Sequence, residues 1–199
     1  MNNISFLITC ADIPKNKNIR DIEYSLCIAR IFSYKKPVYC VISQSQTVNH
    51  PFNKFKFNYV LSIPSTQSLN AHTKSQKEFI SIKELISKID VEDNTFIIKL
   101  TGRYLLTNDL LYDTVKNAPP DVDAVTIRSP DGKNIYTFGY AFRFKLLKEY
   151  FSLSIDYLGN RCIEESMYSF LCSKKSKCIY LEELGIYADI NNEGSYNFF

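Results

Sequence analysis

At 199 residues the chain fits one domain and is long enough to bury a substantial core around a central sheet. A formal net charge of +3 is too small to argue for nucleic acid or a membrane surface, and the basic residues form only short pairs, Lys35-Lys36 and Lys174-Lys175. The six cysteines contain no CxxC pair and there are only two histidines, which argues against a zinc site; most of the cysteines are expected to be buried and reduced, as in a cytoplasmic protein.

The opening MNNISFLITCADIP has a short apolar run with no basic leader and no small-residue cleavage site, so it reads as a strand and not as a signal peptide. No stretch approaches about 18 uninterrupted apolar residues, and no transmembrane helix is expected. The first strand covers 4–9. Asn18 can cap a helix to about residue 33, with Ile19, Ile22, Leu26 and Ala29 at helical spacing. Strands follow at 38–43 and 57–63, closed by Pro64, and an amphipathic helix runs over 74–89. Residues 95–100 form a fourth strand. Its contiguous Phe96, Ile97 and Ile98 suit burial on both faces.

Beyond it lie a short helix at 109–116 and strands at 124–128 and 136–142 around a turn at Pro130-Asp131-Gly132. Helices at 144–151 and 162–172 and a late strand at 178–181 complete the order, with a polar tail from Asn191 that is expected to be mobile or to cover the site. Strands alternating with helices in the first half predict an α/β fold with a mostly parallel sheet in one domain, 1–199.

In open α/β sheets ligands gather at the carboxyl ends of the parallel strands. The residues that matter most are therefore 9–12, 43–45, 64–66 and 101–104. His50 and His72 stand in polar loops and read as bystanders.

The segment FIIKLTGRYLL resembles a variant seen in GT-A glycosyltransferases of bacterial capsule or lipopolysaccharide loci and of large viruses. There a K-[LI]-[TS]-G-R-Y segment stands where most GT-A enzymes carry D-x-D. TFGYAFRFKLLKEYF resembles the acceptor-side strand and helix of such enzymes, CIEESMYSFL their later helix, and LGIYADINNEG their closing segment. The resemblance implies a GT-A fold, a Rossmann-like mixed sheet flanked by helices. It also implies transfer of a sugar from a nucleotide-sugar donor to a carbohydrate acceptor.

Carried onto this sequence, the resemblance places Thr101, Gly102 and Arg103 where a metal-binding D-x-D would be. A guanidinium binds phosphate oxygens as a fork and a lysine acts as a point charge, so Arg103, with Lys99 or Lys74, is the candidate to neutralise the diphosphate. Gly102 would let the backbone approach the ligand. Lys74 opens a helix whose amino end attracts anions. Thr9 and Asp12 follow the first strand, where these folds hold the nucleotide, and Arg20 is a further candidate there. Glu164, or else Glu165, is the candidate base. The plainer readings stay open: a structural arginine at a glycine turn, and first-turn acids that suit the helix dipole. No residue is assigned to a metal, although Mn2+ or Mg2+ remains open. A literal D-x-D, Asp121-Val122-Asp123, precedes a strand and is expected at the opposite end of the sheet.

A non-catalytic nucleotide- or glycan-binding module is the second reading. A sugar-phosphate nucleotidyltransferase ranks below both, because TCADIPKNKN has no glycine to cradle phosphates after the first strand.

Overall fold

The structure, a computed structural model, describes residues 1–11, 17–45, 54–64, 72–188 and 197–198; of 17–20, 44–45, 188 and 197–198 it describes the backbone alone. Strand β1 (Ile4–Ala11) leads to α1 (Lys17–Ser33), β2 (Val38–Ser45) and β3 (Tyr59–Pro64). Next come α2 (Lys74–Ile86), β4 (Phe96–Thr101), the short β5 (Leu105–Leu106) and α3 (Leu110–Asn117). The second half holds β6 (Ala124–Thr126), β7 (Gly139–Arg143), α4 (Phe144–Ser152), α5 (Ile163–Lys174), β8 (Cys178–Tyr180), β9 (Ile186–Ala188) and β10 (Asn197–Phe198).

Seven strands form one mixed sheet in the order β3-β2-β1-β4-β7-β6-β8. Neighbours from β3 to β4 are parallel, β7 runs antiparallel to both β4 and β6, and β8 is parallel to β6. Hence β6 and β8 point the same way as β4. A smaller sheet, β10-β9-β5, lies beyond the end of β4.

Side chains alternate across a strand, so β4 serves two cores. Phe96, Ile98 and Leu100 pack with Phe6, Ile8, Tyr24 and Ile28, while Ile97 packs with Phe79, Phe142, Tyr150 and Met167 under α2, α4 and α5. The same alternation puts Lys99 on the second face, fully buried.

The start of α2 is fixed by a capping box: the Gln76 N–H donates to the Thr73 hydroxyl at 3.2 Å, and the Thr73 N–H donates to Gln76 Oε1 at 2.9 Å. The helix stops at Ile86, short of the expected residue 89, where the Ser87 N–H closes on the Lys83 and Leu85 carbonyls.

The strands expected at 124–128 and 136–142 shrink to β6 and β7. Between them the chain is an irregular hairpin joined by the bridge Arg128–Ile135 and turned at Gly132, whose φ is +70. The cysteine expectation holds for half the set. Cys10, Cys27 and Cys40 are buried, but Cys162, at the cap of α5, and Cys172 are exposed, and Cys178 on the edge strand β8 is intermediate. The tail from Asn191 lies outside the described residues except for the β10 backbone. Among the described residues no helix is long and apolar enough to cross a membrane.

Candidate active site

The carboxyl ends of β1, β2 and β4 meet in register, with Thr9 opposite Thr101 and Ala11 opposite Ser43. Three contacts hold the end of β1. The Tyr24 hydroxyl accepts from the Ala11 N–H and donates to the Ala11 carbonyl, both at 3.2 Å, and the Ser43 hydroxyl donates to the Cys10 carbonyl at 3.1 Å. Thr9 is half-buried on the face that carries Lys99. Asp12 and His50 lie outside the described residues, and of Arg20 only the backbone, within α1, is described.

After β4 the chain turns sharply. The Thr101 N–H donates to the Phe138 carbonyl, the Gly102 N–H to the Thr9 carbonyl and the Tyr104 N–H to the Thr101 carbonyl, each at 2.9 Å. A Cβ on Gly102 would come within 2.6 Å of Cys10 Sγ, 2.8 Å of Ile8 Cγ2 and 3.1 Å of Tyr24 Cδ1. The close approach of the turn to β1 and α1 by itself requires a glycine here, and the Gly102 N–H is taken by the Thr9 carbonyl. Arg103 is half-buried, with its guanidinium 5.0 Å from the centre of the Tyr104 ring and a nitrogen 3.2 Å from the Tyr104 hydroxyl. Tyr104 packs edge-on against Phe138.

Lys99 is not a free cation at the mouth of the site, which corrects its expected role. Its Nζ donates to Glu78 Oε1 at 2.5 Å, to the Thr137 carbonyl at 2.6 Å and to the Thr101 hydroxyl at 3.2 Å. An ammonium has three protons, and three acceptors take them. This explains how a fully buried lysine is tolerated, since a buried charge needs both a counter-charge and complete hydrogen bonding. The Thr101 oxygen accepts from Lys99, so its own proton is free to point elsewhere. Beside Lys99 the buried Tyr140 ring lies 5.8 Å away, and burial pushes the Tyr140 phenol well above its ordinary value, with the Glu78 carboxylate adding to the effect.

Thr137 links this cation to α5. It is buried, and its hydroxyl donates to Glu164 Oε1 at 2.7 Å. A continuous polar chain therefore runs from Glu78 on α2 through Lys99 on β4 and Thr137 before β7 to Glu164 in the first turn of α5. Glu164 is half-buried and Glu165 is exposed. Of the two candidate bases, only Glu164 is joined to this network by a described side-chain hydrogen bond.

Lys74 is exposed at the first position of α2, one turn before Glu78. His72 is half-buried just ahead of it. Asp121 and Asp123 sit at the amino end of β6, as expected, away from Thr101. Asp121 forms an ion pair with Lys177, and Asp123 Oδ2 accepts the Lys177 N–H at 2.9 Å.

Divalent Mn2+ and Mg2+ are held by hard oxygen ligands, above all carboxylates. Among the described residues the Thr101-Gly102-Arg103 turn offers one hydroxyl and a cation, and Glu78 Oε1 is paired with Lys99, so these donors do not fit a divalent ion. Among the described residues no group of three or more His, Cys, Asp or Glu is gathered to hold a metal.

Protein-family profiles and curated proteins give no match to this chain, but solved structures do. It is similar to 4-diphosphocytidyl-2C-methyl-D-erythritol synthase from Anaerococcus prevotii, with TM-score 0.57 and 16% identity over 96% of this chain and 94% of that one. It is also similar to a Pyrobaculum calidifontis mannosyltransferase solved with GDP-Man and Mn2+, with TM-score 0.63 and 12% identity over 95% of this chain and 58% of that one. The chain has the nucleotide-sugar-transferase fold. A third match, the glycosyltransferase GlyE of Streptococcus pneumoniae, has TM-score 0.53 and 13% identity over 92% of this chain. This chain spans about half the length of the two glycosyltransferases, 58% and 46%.

Glu78 and Thr137 had no signal of their own in the sequence. Glu78 had one indirect cue, a lysine inside an otherwise apolar buried strand, which demands a carboxylate partner from elsewhere.

Proposed function

We propose that this chain is a cytoplasmic enzyme that moves a sugar from a nucleoside-diphosphate sugar to a carbohydrate acceptor in the making of a surface glycan. Glu164 is the base and the turn after β4 receives the donor. In this reading the acceptor hydroxyl gives its proton to the Glu164 carboxylate. The acceptor oxygen bonds to the anomeric carbon, the bond from that carbon to the diphosphate oxygen breaks, and the nucleoside diphosphate leaves with the electron pair. Arg103 and Lys74 offset the charge on the diphosphate, the Thr101 hydroxyl donates to it, and Thr9, Asp12 and Arg20 meet the nucleoside. Lys99 acts beneath them as a fixed counter-charge and not as a ligand. Gly102 serves by bringing the turn close to β1.

The single observation that supports this reading is the hydrogen-bonded chain Lys99–Thr137–Glu164. It ties a carboxylate to the carboxyl end of β4, where this class of fold takes its ligand. The test is a panel of UDP-, GDP- and TDP-sugars followed for donor binding and slow hydrolysis, with and without Mn2+. Release of a nucleoside diphosphate is expected, with weaker donor binding in Arg103→Ala. Binding without any turnover would favour the non-catalytic module. Strict dependence on Mn2+ would contradict charge neutralisation by basic residues.

A second reading, nucleotidyl transfer, is favoured by the end-to-end match to the 4-diphosphocytidyl-2C-methyl-D-erythritol synthase. It predicts pyrophosphate release from CTP with a sugar or polyol phosphate. The glycine-free sequence between β1 and α1 weighs against it.

A further inference from the structure

Arg128 follows the carboxyl end of β6, at the same end of the sheet as Thr101 and Thr137. Its bridge partner is Ile135, two residues before Thr137 on the opposing chain. Across a pair of strands such diagonal neighbours stand about 7–8 Å apart. The arginine is exposed, yet its side chain is held. Its guanidinium carbon lies 4.0 Å from the centre of the Tyr180 ring on β8 and 5.5 Å from that of Tyr168 on α5. Tyr168 is one turn beyond Glu164 on the same helix, and residues four apart share a helix face.

A guanidinium held against two aromatic rings loses rotamer freedom; the Tyr180 hydroxyl interacts with part of it, and its remaining N–H donors can still meet a planar anion. Among the described residues none forms an ion pair with Arg128. The acid of its own hairpin, Asp131, is taken up by the Ser129 hydroxyl and the Lys133 N–H. Thr126, two residues earlier on the same face, is buried, and its hydroxyl has no hydrogen-bond partner among the described residues. The surface between α5 and this hairpin is thus polar, aromatic and positive, next to the carboxylate proposed as base.

We propose that Arg128, clamped by Tyr168 and Tyr180, is an acceptor subsite for an oxyanion, so that the acceptor is an acidic sugar carrying a carboxylate or a phosphate. The identity of the ligand as acceptor rests on the transfer reading above; capture of an anionic sugar at Arg128 does not. The tyrosine rings cover apolar faces of the sugar while the guanidinium grips the anion as a fork.

The test is a 1H–15N NMR titration with sodium glucuronate, glucose 6-phosphate and glucose at matched ionic strength, following the Arg128 Nε–H and the Ile127 to Ser129 amides. One of the two anions should shift these signals at concentrations at least about tenfold below glucose, and the response should vanish in Arg128→Met and weaken in Arg128→Lys. The anion that responds separates carboxylate from phosphate. Equal response to all three sugars, no response, or an unchanged response in Arg128→Met would overturn the proposal. Capture of the anion with no binding of any nucleotide sugar would leave the subsite standing and remove the transfer reading. Donor binding without anion capture would do the reverse.

Discussion

The Thr137 hydroxyl donates to the Glu164 carboxylate at 2.7 Å, while the carbonyl of the same threonine accepts from the buried Lys99 at 2.6 Å. One residue thereby fixes a carboxylate on α5 relative to a cation on β4. Its neighbour Phe138 also accepts the Thr101 N–H, so the chain just before β7 is joined to the ligand end of β4. The position of Glu164 is set by the sheet as well as by its own helix.

Removing only the hydroxyl should show this. Thr137→Val is expected to lower donor turnover about tenfold, the value of one lost hydrogen bond to a charged group, with donor affinity little changed. Thr137→Ser should restore it. Steady-state kinetics on the donor that responds best gives the KM and kcat split. Equal rates in Thr137→Val and the wild type would remove Thr137 from the account.

Lys99→Met should leave the Glu78 carboxylate beside a buried methionine without its partner. Breaking a buried pair is costly, but the Glu78 side chain keeps 22% of its exposure, so a loss of about 2–4 kcal/mol is expected. Urea unfolding measures it. The double variant Lys99→Met, Glu78→Gln should recover part of the loss, because the uncompensated charge is gone.

Gly102→Ala places a methyl group against Ile8 and Cys10 at distances no packed core allows. A destabilisation of about 1–3 kcal/mol is expected by thermal or urea unfolding. A neutral result would mean that the turn can lift away from β1.

At the far end of the sheet, the hydrogen bond from Lys177 holds the exposed Asp121 carboxyl below its ordinary value of 3.8. The sign follows directly. The pair's small contribution to stability is complete above the unfolded value and is lost as pH falls through the lower folded value. Asp121→Asn should therefore change stability slightly at neutral pH, and the difference from wild type should fade below about pH 3.8. It should leave donor turnover unchanged, because the amino end of β6 is the wrong end of the sheet for the ligand.

The positions of these groups were unequally legible in the sequence. The run Phe96-Ile97-Ile98 announced a strand buried on both faces, and the place of Asp121-Val122-Asp123 ahead of a strand put that pair at the distant end of the sheet. The capping box of Thr73 and Gln76 is local, but it emerged only with the structure. Lys99 was harder. Next to a polar turn it reads as a ligand lysine, and its burial depends on Glu78, which reaches it from α2 across 21 residues of sequence. Thr137 meets Glu164 across 27 residues, through an irregular hairpin whose shape no periodicity predicts. Gly102 reads in the sequence as room for a ligand, while its packing against Ile8, Cys10 and Tyr24, which also demands a glycine, is a tertiary contact with no local signal. Contacts within one element could be read from spacing; those that assemble the site are tertiary.

The central claim is tested most directly by nucleoside-diphosphate release from the panel of nucleotide sugars, comparing wild type with Glu164→Gln at equal donor occupancy. The account predicts that at least one donor is bound and slowly hydrolysed by the wild type. It further predicts that Glu164→Gln binds the same donor with similar affinity and turns it over about a hundredfold more slowly or worse. No donor bound by the wild type, or equal turnover by the two proteins, would contradict it.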